Sequence, residues 1–275
     1  MICDIISEPS ITAIRRLLPF RCFYSQKQVF LRREMIRMSI STVLLAYKEA
    51  ENLKVLLPQI KKQLDSIGEQ YEIIVVDTEK ALDNTEEVCR KFGAAYVNQK
   101  YPKFSGAFRT GIECAKYDKF LILDSDGSHN PKYIPAIYKA MKPGTDLVIG
   151  SRYTKGGKTN DSRTSVIMSH CLNFVFRIAL GIKAKDISTD YRLYRTEQLK
   201  KVKLDSENYD ILEEVLLKLK LINGKLKIAE VPIVFKKRLF GESKRALIPF
   251  MISYLKTLLR LTAIRIKHIG GKKNA

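Results

Sequence analysis

Phe120-Leu-Ile-Leu-Asp-Ser-Asp126 is an apolar run that ends in two carboxylates one residue apart, and Gly127 and Pro131 follow it. A short continuous apolar run of this kind predicts a buried parallel strand, and open α/β sheets bind their ligands at the carboxyl ends of such strands. At that position Asp124 and Asp126 offer hard oxygen ligands to a divalent cation that also holds phosphates. The combination indicates nucleotide-sugar chemistry.

A pair of carboxylates at this spacing also occurs in two unrelated kinds of loop. The simpler kind is a polar turn that caps a helix, because Asp, Ser, Gly and Asn favour turns in any case. The second kind is a calcium-binding loop, and the sequence excludes it. Such a loop needs a carboxylate or amide at its third ligand position and Glu at its twelfth, where this chain has Ser128 and Pro135.

The chain around this run alternates strand-like and helix-like segments, which predicts an α/β fold with a mostly parallel sheet flanked by helices. Glu49, Asp77, Asp124 and Asp126 all fall near the carboxyl ends of predicted strands, so we expect them to converge at one edge of the sheet. The predicted strands are 40–46, 72–76, 95–97, 120–123 and 147–150, and the predicted helices are 51–66, 84–92, 106–116 and 132–142.

Composition limits the partners that the chain can have. Its 275 residues are 45% hydrophobic, enough for one large domain with a proper core, and they carry a formal net charge of +20. Because self-repulsion of this size costs stability, we expect an anionic partner: nucleic acid, phosphorylated substrates or an anionic membrane. The five cysteines lack the paired close spacing of zinc or redox sites, which indicates free thiols in a reducing compartment.

The two ends of the chain differ from its centre. Residues 1–37 form a basic N-terminal extension that fits a membrane segment, an organelle presequence or an extension of little structural consequence, and no secretory signal is evident. The main domain is predicted over 38–245. Residues 246–275 are apolar and interrupted by basic residues, which predicts an amphipathic helix in the headgroup region of an anionic leaflet or a helix packed on the core. Charges inside it, and inside the apolar stretch 172–182, argue against a spanning helix.

Eight segments together resemble family-2 inverting glycosyltransferases with the GT-A fold, whose nucleotide-binding half is Rossmann-like. Glu72-Ile-Ile-Val-Val-Asp77 and Leu123-Asp-Ser-Asp-Gly-Ser-His-Asn-Pro131 are two of them. Others in the same order are 43–53, 106–111 and 146–153, while 186–194, 230–235 and 238–244 are similar to the branch typified by dolichyl-phosphate mannose synthases.

The resemblance implies a donor site and a metal. Asp124 and Asp126 match the pair around metal and diphosphate, with Asp126 as the direct ligand of Mg²⁺ or Mn²⁺. A divalent cation is suited to this role because the nucleotide diphosphate gains negative charge as it leaves. The positions matched to the nucleotide sugar are Tyr47, Glu49, Asp77, Arg109 and Asp124.

The acceptor implied by the resemblance is a polyprenyl or dolichyl phosphate. A phosphate monoester is already largely a dianion at neutral pH, so its transfer needs cations and positioning rather than a general base. Arginine forks bind phosphate in a bidentate manner. Arg152 is expected to take part in catalysis with Asp124 and Asp126, and the acceptor phosphate is expected near Arg163, Ser169, Arg238 and Lys244.

Four positions depart from the family pattern. Lys48 stands where Asn is usual, Thr78 where a second Asp is usual, Ser128 where Gln is common, and Asp190 where Gly is common. The change at residue 190 matters most, because a charged side chain is costly where backbone must approach a ligand closely. These departures bear on the identity of donor and acceptor.

The sequence therefore predicts a peripheral enzyme on the cytoplasmic face of a membrane that moves a hexose from a GDP-mannose or UDP-glucose type donor to a polyprenyl phosphate with inversion. A membrane-spanning subunit is a possible partner of such an enzyme. An alternative is a glycosyltransferase of the same fold that acts on a hydroxyl acceptor in surface polysaccharide or glycan synthesis, which requires a general base such as Asp190, Glu213 or Glu214. A nucleic-acid-binding protein is suggested by charge alone, without a recognition-helix, RNP or zinc-finger signature, so no nucleic acid partner is expected.

Overall fold

The computed structural model describes residues 39–241 and 247–273, and a seven-stranded sheet forms the middle layer of this part of the chain. Its strand order is β3-β2-β1-β4-β7-β5-β8, and β7 runs antiparallel to both of its neighbours while all other pairs are parallel. The strands are β1 (Ile40–Leu45), β2 (Tyr71–Asp77), β3 (Ala95–Asn98), β4 (Lys119–Ile122), β5 (Leu147–Ser151), β7 (Arg192–Arg195) and β8 (Ile228–Pro232). Two short strands, β6 (Lys158–Thr159) and β9 (Val234–Phe235), pair with each other in parallel.

Helices connect these strands and cover both faces of the sheet. The first helix shows why they form: apolar residues recur every three or four positions, and Gly68, with a φ of 76°, ends the helix in a left-handed conformation. The helices are α1 (Ala50–Ile67), α2 (Thr85–Phe92), α3 (Lys103–Cys114), α4 (Ile134–Ala140), α5 (Arg163–Leu180), α6 (Thr196–Lys200), α7 (Ile211–Asn223) and α8 (Leu247–Lys273).

The core consists of two apolar clusters, one on each face of the sheet. Successive strand residues point to opposite faces, so Val43 belongs to one cluster and Leu44 to the other, and Ile74 and Val75 divide in the same way. Helices α3, α5, α7 and α8 contribute to the first cluster, and α1, α2 and α4 to the second. Burial on both faces explains why the strands are continuously apolar.

The predicted α/β fold, mostly parallel and flanked by helices, is confirmed. Each of the five predicted strands is present to within one residue at either end. The sequence did not predict β7 and β8, and the apolar stretch 172–182 noted there covers only the second half of α5. That helix begins at Arg163 because Ser162 accepts a hydrogen bond from the Ser165 backbone (3.2 Å) and so caps a polar first turn.

The C-terminal helix is also present, and α8 presents two different faces over 252–270. Tyr254 and Leu261 are buried against the core, and Thr257 donates a hydrogen bond to Asp210 (2.6 Å), which lies at the start of α7. Exposed apolar side chains lie elsewhere on the helix, at Ile252, Leu255, Leu259 and Ile266. One face of the helix therefore packs on the core, and contact of the exposed face with an anionic leaflet stays a prediction.

The chain from Ser39 onward forms one compact unit. The basic extension 1–37 and Lys244 lie outside the described residues, and the proposed division into three segments stays a prediction. In the part of the chain that is described, every helix is too short or too polar to cross a bilayer.

Candidate functional site

Acidic side chains meet at the carboxyl edge of the sheet, as the sequence predicted. Strands β2, β1 and β4 are neighbours and run parallel, so their carboxyl ends lie side by side. Asp77 is the last residue of β2, Glu49 follows β1 by four residues, and Asp124 and Asp126 follow β4. Parallel topology thus brings together four residues that are as far apart as 77 positions in sequence.

A tight turn fixes the Asp124-Ser-Asp126 segment. The Asp126 carboxylate accepts a hydrogen bond from the Ser128 backbone N–H (2.9 Å), and the Ser128 hydroxyl donates to Asp124 Oδ2 (3.1 Å). Gly127 has a φ of 85°, and a Cβ there would lie 2.5 Å from the Leu239 side chain. Glycine is therefore required for both backbone conformation and space.

His129 is buried directly behind Asp124. Its Nδ1 accepts a hydrogen bond from the Asp124 backbone N–H (3.1 Å), and its Nε2 lies 3.2 Å from the Thr189 hydroxyl. The same Nδ1 is 3.2 Å from Asp124 Oδ2 and 3.6 Å from Asp190 Oδ1. Burial lowers the pKa of His129, which favours the neutral ring with its proton on Nε2.

The site can hold a divalent metal ion. One ligand atom each from Asp124, His129 and Asp190 lies within 4.8 Å of the other two, and the two carboxylates offer the hard oxygen ligands that a divalent cation prefers. Asp126 is not in this group of three, so its role as the direct ligand stays a prediction.

Asp77, predicted to contact the nucleoside, is buried at the end of β2. Burial raises the pKa of Asp77, whereas hydrogen bonds from the Thr78 backbone (2.8 Å) and the Tyr96 hydroxyl (3.1 Å) oppose that rise. The carboxylate is thereby held in one orientation. Tyr47 is about half exposed at the same edge, at 48%, and can present its ring to a ligand.

Residues 236–241, here called the strap, cross over the Asp126 turn and reach the start of α1. The Leu239 backbone donates to the Asp126 carbonyl (2.8 Å), and the Phe240 backbone donates to Asn52 (3.0 Å). Arg238 on the strap forms an ion pair with Glu49 (2.8 Å). A candidate acceptor residue and a candidate donor residue therefore meet, beside a cavity of about 310 Å³ that Arg238 lines.

Arg152 is the centre of a buried polar cluster. Its guanidinium donates twice to Asp186 (both 2.8 Å), which is fully buried, and also to Ser188 (2.8 Å) and Ser169 (3.3 Å). Burial alone would lower the pKa of Arg152, but the hydrogen bonds and charge of Asp186 outweigh it and raise the pKa. The predicted pair Arg152 and Ser169 is thus in contact, although Asp186 occupies one side of the guanidinium.

Phe235 contacts both this cluster and His129. The Arg152 guanidinium carbon is 5.4 Å from the centre of the Phe235 ring, and the centre of the His129 ring is 5.2 Å from the same point. The candidate donor and acceptor groups are therefore in contact with the same aromatic ring.

The remaining predicted residues lie elsewhere. Arg163 is exposed at the first position of α5, and Arg109 donates to the Ser206 carbonyl near α7. Burial alone would raise the pKa of Glu214, but hydrogen bonds from Lys218 and Ser206 outweigh it and lower the pKa, which makes Glu214 a poor general base. Glu213 is buried on the same helix.

Sequence reasoning assigned no role to His129 or Asp186, although both lie in the quoted motifs. Their signal was a lone His five residues after Asp124 and an Asp four residues before Asp190, and neither identifies a partner without the fold. The fold also accounts for two of the departures from the family pattern. Lys48 has a φ of 58°, a left-handed conformation that Asn adopts at lower cost, which explains why Asn is usual at this position. The backbone at Asp190 is not left-handed, so a residue with a side chain can replace Gly there without backbone strain.

Comparisons with known proteins agree with this geometry. The sequence profile of glycosyl transferase family 2 matches residues 41–203. A dolichol-phosphate mannosyltransferase from Pyrococcus furiosus is 35% identical over 216 residues, which cover 75% of this chain and 59% of that protein. An undecaprenyl-phosphate mannosyltransferase from Micrococcus luteus is 32% identical over 227 residues, 75% of this chain and 87% of that protein. The chain thus spans less than two thirds of the Pyrococcus relative.

A solved structure shares the fold. Glucosyl-3-phosphoglycerate synthase from Mycobacterium tuberculosis, crystallised with Mn²⁺ and UDP-glucose, superimposes with a TM-score of 0.65. The match covers 84% of this chain and 81% of that chain at 20% identity, so it shows the fold alone.

Proposed function

Because the chain belongs to glycosyl transferase family 2, we propose that it transfers a hexose from a nucleotide sugar to a polyprenyl or dolichyl phosphate with inversion of the anomeric centre. The observation that carries this proposal is the carboxyl edge of the sheet, where Phe235 contacts both the Arg152 cluster and His129, the residue buried behind the Asp124 turn. The relatives from Pyrococcus and Micrococcus, named as lipid-phosphate mannosyltransferases, support the acceptor class and a mannose donor.

For the donor side, we propose Asp124 and Asp126 as ligands of Mg²⁺ or Mn²⁺. When bound, the metal ion supplies Lewis-acid stabilisation of the negative charge that develops on the diphosphate. Tyr47 and Asp77 are proposed to contact the nucleoside, and Glu49 can do so once Arg238 releases it. Arg109 has weaker support, because its guanidinium is engaged by Ser206.

For the acceptor side, we propose that an oxygen of the lipid phosphate attacks the anomeric carbon as the bond to the diphosphate breaks. No general base is needed, since the acceptor is already largely a dianion at neutral pH. Arg152 and Ser169 are proposed to orient it, because Asp186 and Ser188 hold the guanidinium in one position. Arg238 on the strap is the next candidate cation, and Arg163 and Lys244 complete the predicted set.

A second candidate function, transfer to a hydroxyl acceptor, is favoured by one observation. Asp190 is a largely buried carboxylate beside Asp124 and His129, which is where a general base would have to lie. Of the three bases considered from sequence, it is the one that the fold places at the metal-binding group. The two functions differ in acceptor chemistry and are separated by the choice of acceptor.

A donor screen tests the proposed function. Purified protein is incubated with a polyprenyl phosphate, Mg²⁺ or Mn²⁺, and separately with GDP-mannose, UDP-glucose and related nucleotide sugars. We expect a glycosylated lipid phosphate with one donor, detected by mass spectrometry, and its loss on addition of EDTA. Product formation that is unaffected by EDTA would contradict the metal site.

We further propose a peripheral position on the cytoplasmic face of a membrane, where a membrane-spanning subunit can bind the enzyme. Support comes from exposed apolar side chains on two helices that pack together: Phe174 and Ile178 on α5, and Leu255 and Leu259 on α8. Apolar faces of this size next to basic residues fit the headgroup region of a bilayer.

Replacing two of these side chains should weaken membrane binding. Leu255→Ser/Leu259→Ser is expected to lower binding to anionic vesicles by at least about tenfold, because each leucine loses roughly 1.5–3 kcal/mol of apolar burial. Vesicle sedimentation at low and high salt provides the measurement. The matched control, Val55→Ser/Leu82→Ser, alters two exposed apolar residues elsewhere. Equal binding by variant and control would show that α8 does not contact the membrane.

A further inference from the structure

A second cavity lies at the opposite edge of the sheet from the acidic turn. Its volume is about 530 Å³, and residues 142–145 and 225–230 contribute to it together with Lys183 and Ala184. The first two segments lead into the amino ends of β5 and β8, whose register pairs Leu147 with Ile228. Since β5 runs parallel to β4, this edge is the one farthest from Asp124.

Four lysines line this cavity, here called the lysine cleft: Lys142, Lys183, Lys225 and Lys227. Their ammonium groups make no hydrogen bond or ion pair with any other residue of 39–241 or 247–273. Lys227 folds over the turn at Gly144, where a Cβ would lie 3.6 Å from its Nζ. The lysines therefore come from three separate segments and share one cavity.

The carboxylates near the cleft are already engaged by backbone amides. Glu230, which lines the cleft, accepts hydrogen bonds from the backbone N–H groups of Lys185 (3.0 Å) and Asp186 (3.2 Å). Asp146 accepts from the Lys227 backbone N–H (2.8 Å). None of the four ammonium groups forms an ion pair with these carboxylates, and the lysines that line the cleft outnumber Glu230, the acidic residue that lines it.

More positive charge lies beside the cleft, at the end of α5. Lys220 donates to the Gly181 carbonyl (2.6 Å), two residues before Lys183, and Arg265 of α8 donates to the Ile178 carbonyl (2.8 Å). Burial, and then the charge of Arg265, lower the pKa of Lys220. Converging cations at this density favour a multiply charged anion.

We propose that the lysine cleft binds a doubly charged phosphate, as a phosphomonoester or a diphosphate. Lysine is suited to this ligand because three rotatable donors on a flexible stem adapt to phosphate oxygens. The phosphate can come from an acidic lipid headgroup, since Ile178 is exposed on α5, which ends three residues before Lys183, or from a soluble compound. The lipid source rests on the proposed membrane function, whereas the soluble source does not.

The test removes two of the four cations. Lys225→Gln/Lys227→Gln is compared with Lys62→Gln/Lys91→Gln, which loses the same charge from exposed positions on α1 and α2. One arm measures binding of inorganic pyrophosphate by calorimetry in EDTA, so that no metal-dependent site contributes. The other arm measures sedimentation with phosphatidylcholine vesicles that contain phosphatidate.

Wild-type protein and the control are expected to bind, and the cleft variant about 30-fold more weakly, at roughly fivefold for each lysine removed. Loss in the pyrophosphate arm alone identifies a soluble ligand, and loss in the vesicle arm alone identifies a lipid. Equal binding by the cleft variant and the control in both arms would overturn the proposal. Metal-dependent binding of nucleotide sugar should be unchanged by either pair, so failure of the cleft and failure of the proposed function are distinguishable.

Discussion

Asp126→Ala should abolish metal-dependent binding of the nucleotide sugar and lower kcat/KM by on the order of 10³-fold, because the charge on the leaving diphosphate is then uncompensated. Binding of Mn²⁺ with and without nucleotide, followed by electron paramagnetic resonance, measures the first effect. A lipid-product assay measures the second. Near wild-type turnover would mean that Asp126 is not part of the metal site.

Asp126→Asn is the matched control for this experiment. The amide oxygen can still accept the hydrogen bond from the Ser128 backbone, so the turn is preserved while the charge is lost. We expect both variants to lose metal binding. Loss in the alanine variant alone would indicate that the turn, rather than the carboxylate charge, is what activity requires.

Arg152→Ala should destabilise the fold by about 3–5 kcal/mol, because it leaves the fully buried Asp186 carboxylate without its partner. Denaturant unfolding measures this effect. The double variant Arg152→Ala/Asp186→Ala should be less destabilised than the sum of the two single changes, since it removes both charges. A free energy of unfolding within about 1 kcal/mol of wild type for Arg152→Ala would contradict the buried pair.

The role of Arg152 in binding the acceptor needs a variant that folds. Arg152→Lys keeps a positive charge beside Asp186 but loses the planar fork, so we expect a folded protein with a raised KM for the lipid phosphate. The KM for the nucleotide sugar should change little. Equal changes in both constants would assign Arg152 a structural role only.

The parallel half of the fold was predictable because its strands are short, continuous and apolar. The carboxyl-edge site followed from it, since Asp77 and Asp124 needed only the parallel order of β2, β1 and β4 to come together. Strand β7 was not predicted, because Arg192-Leu-Tyr-Arg195 is half charged. The Arg192 side chain is nevertheless fully buried, where it donates to the carbonyls of Thr189, Ile187 and Leu212.

The contacts between candidate residues could not be predicted from the sequence. Glu49 and Arg238 are 189 positions apart, and their ion pair depends on how the strap crosses the Asp126 turn. Asp186 and Arg152 likewise meet only because loops after β5 and before β7 come together. Pairs that are so far apart leave no recognisable pattern in the sequence. Asp124 and Asp126, by contrast, are two residues apart and form a motif that can be read directly.

A matched pair of acceptors tests the central claim most directly. Wild-type protein is given its nucleotide sugar, Mn²⁺ and either a polyprenyl phosphate or the polyprenol of the same chain length, and products are identified by mass spectrometry. Transfer to a phosphate dianion needs no general base, so we predict glycosylation of the polyprenyl phosphate and none of the alcohol. Glycosylation of the hydroxyl acceptor alone would contradict the proposed function and would assign Asp190 as the general base of a different transfer.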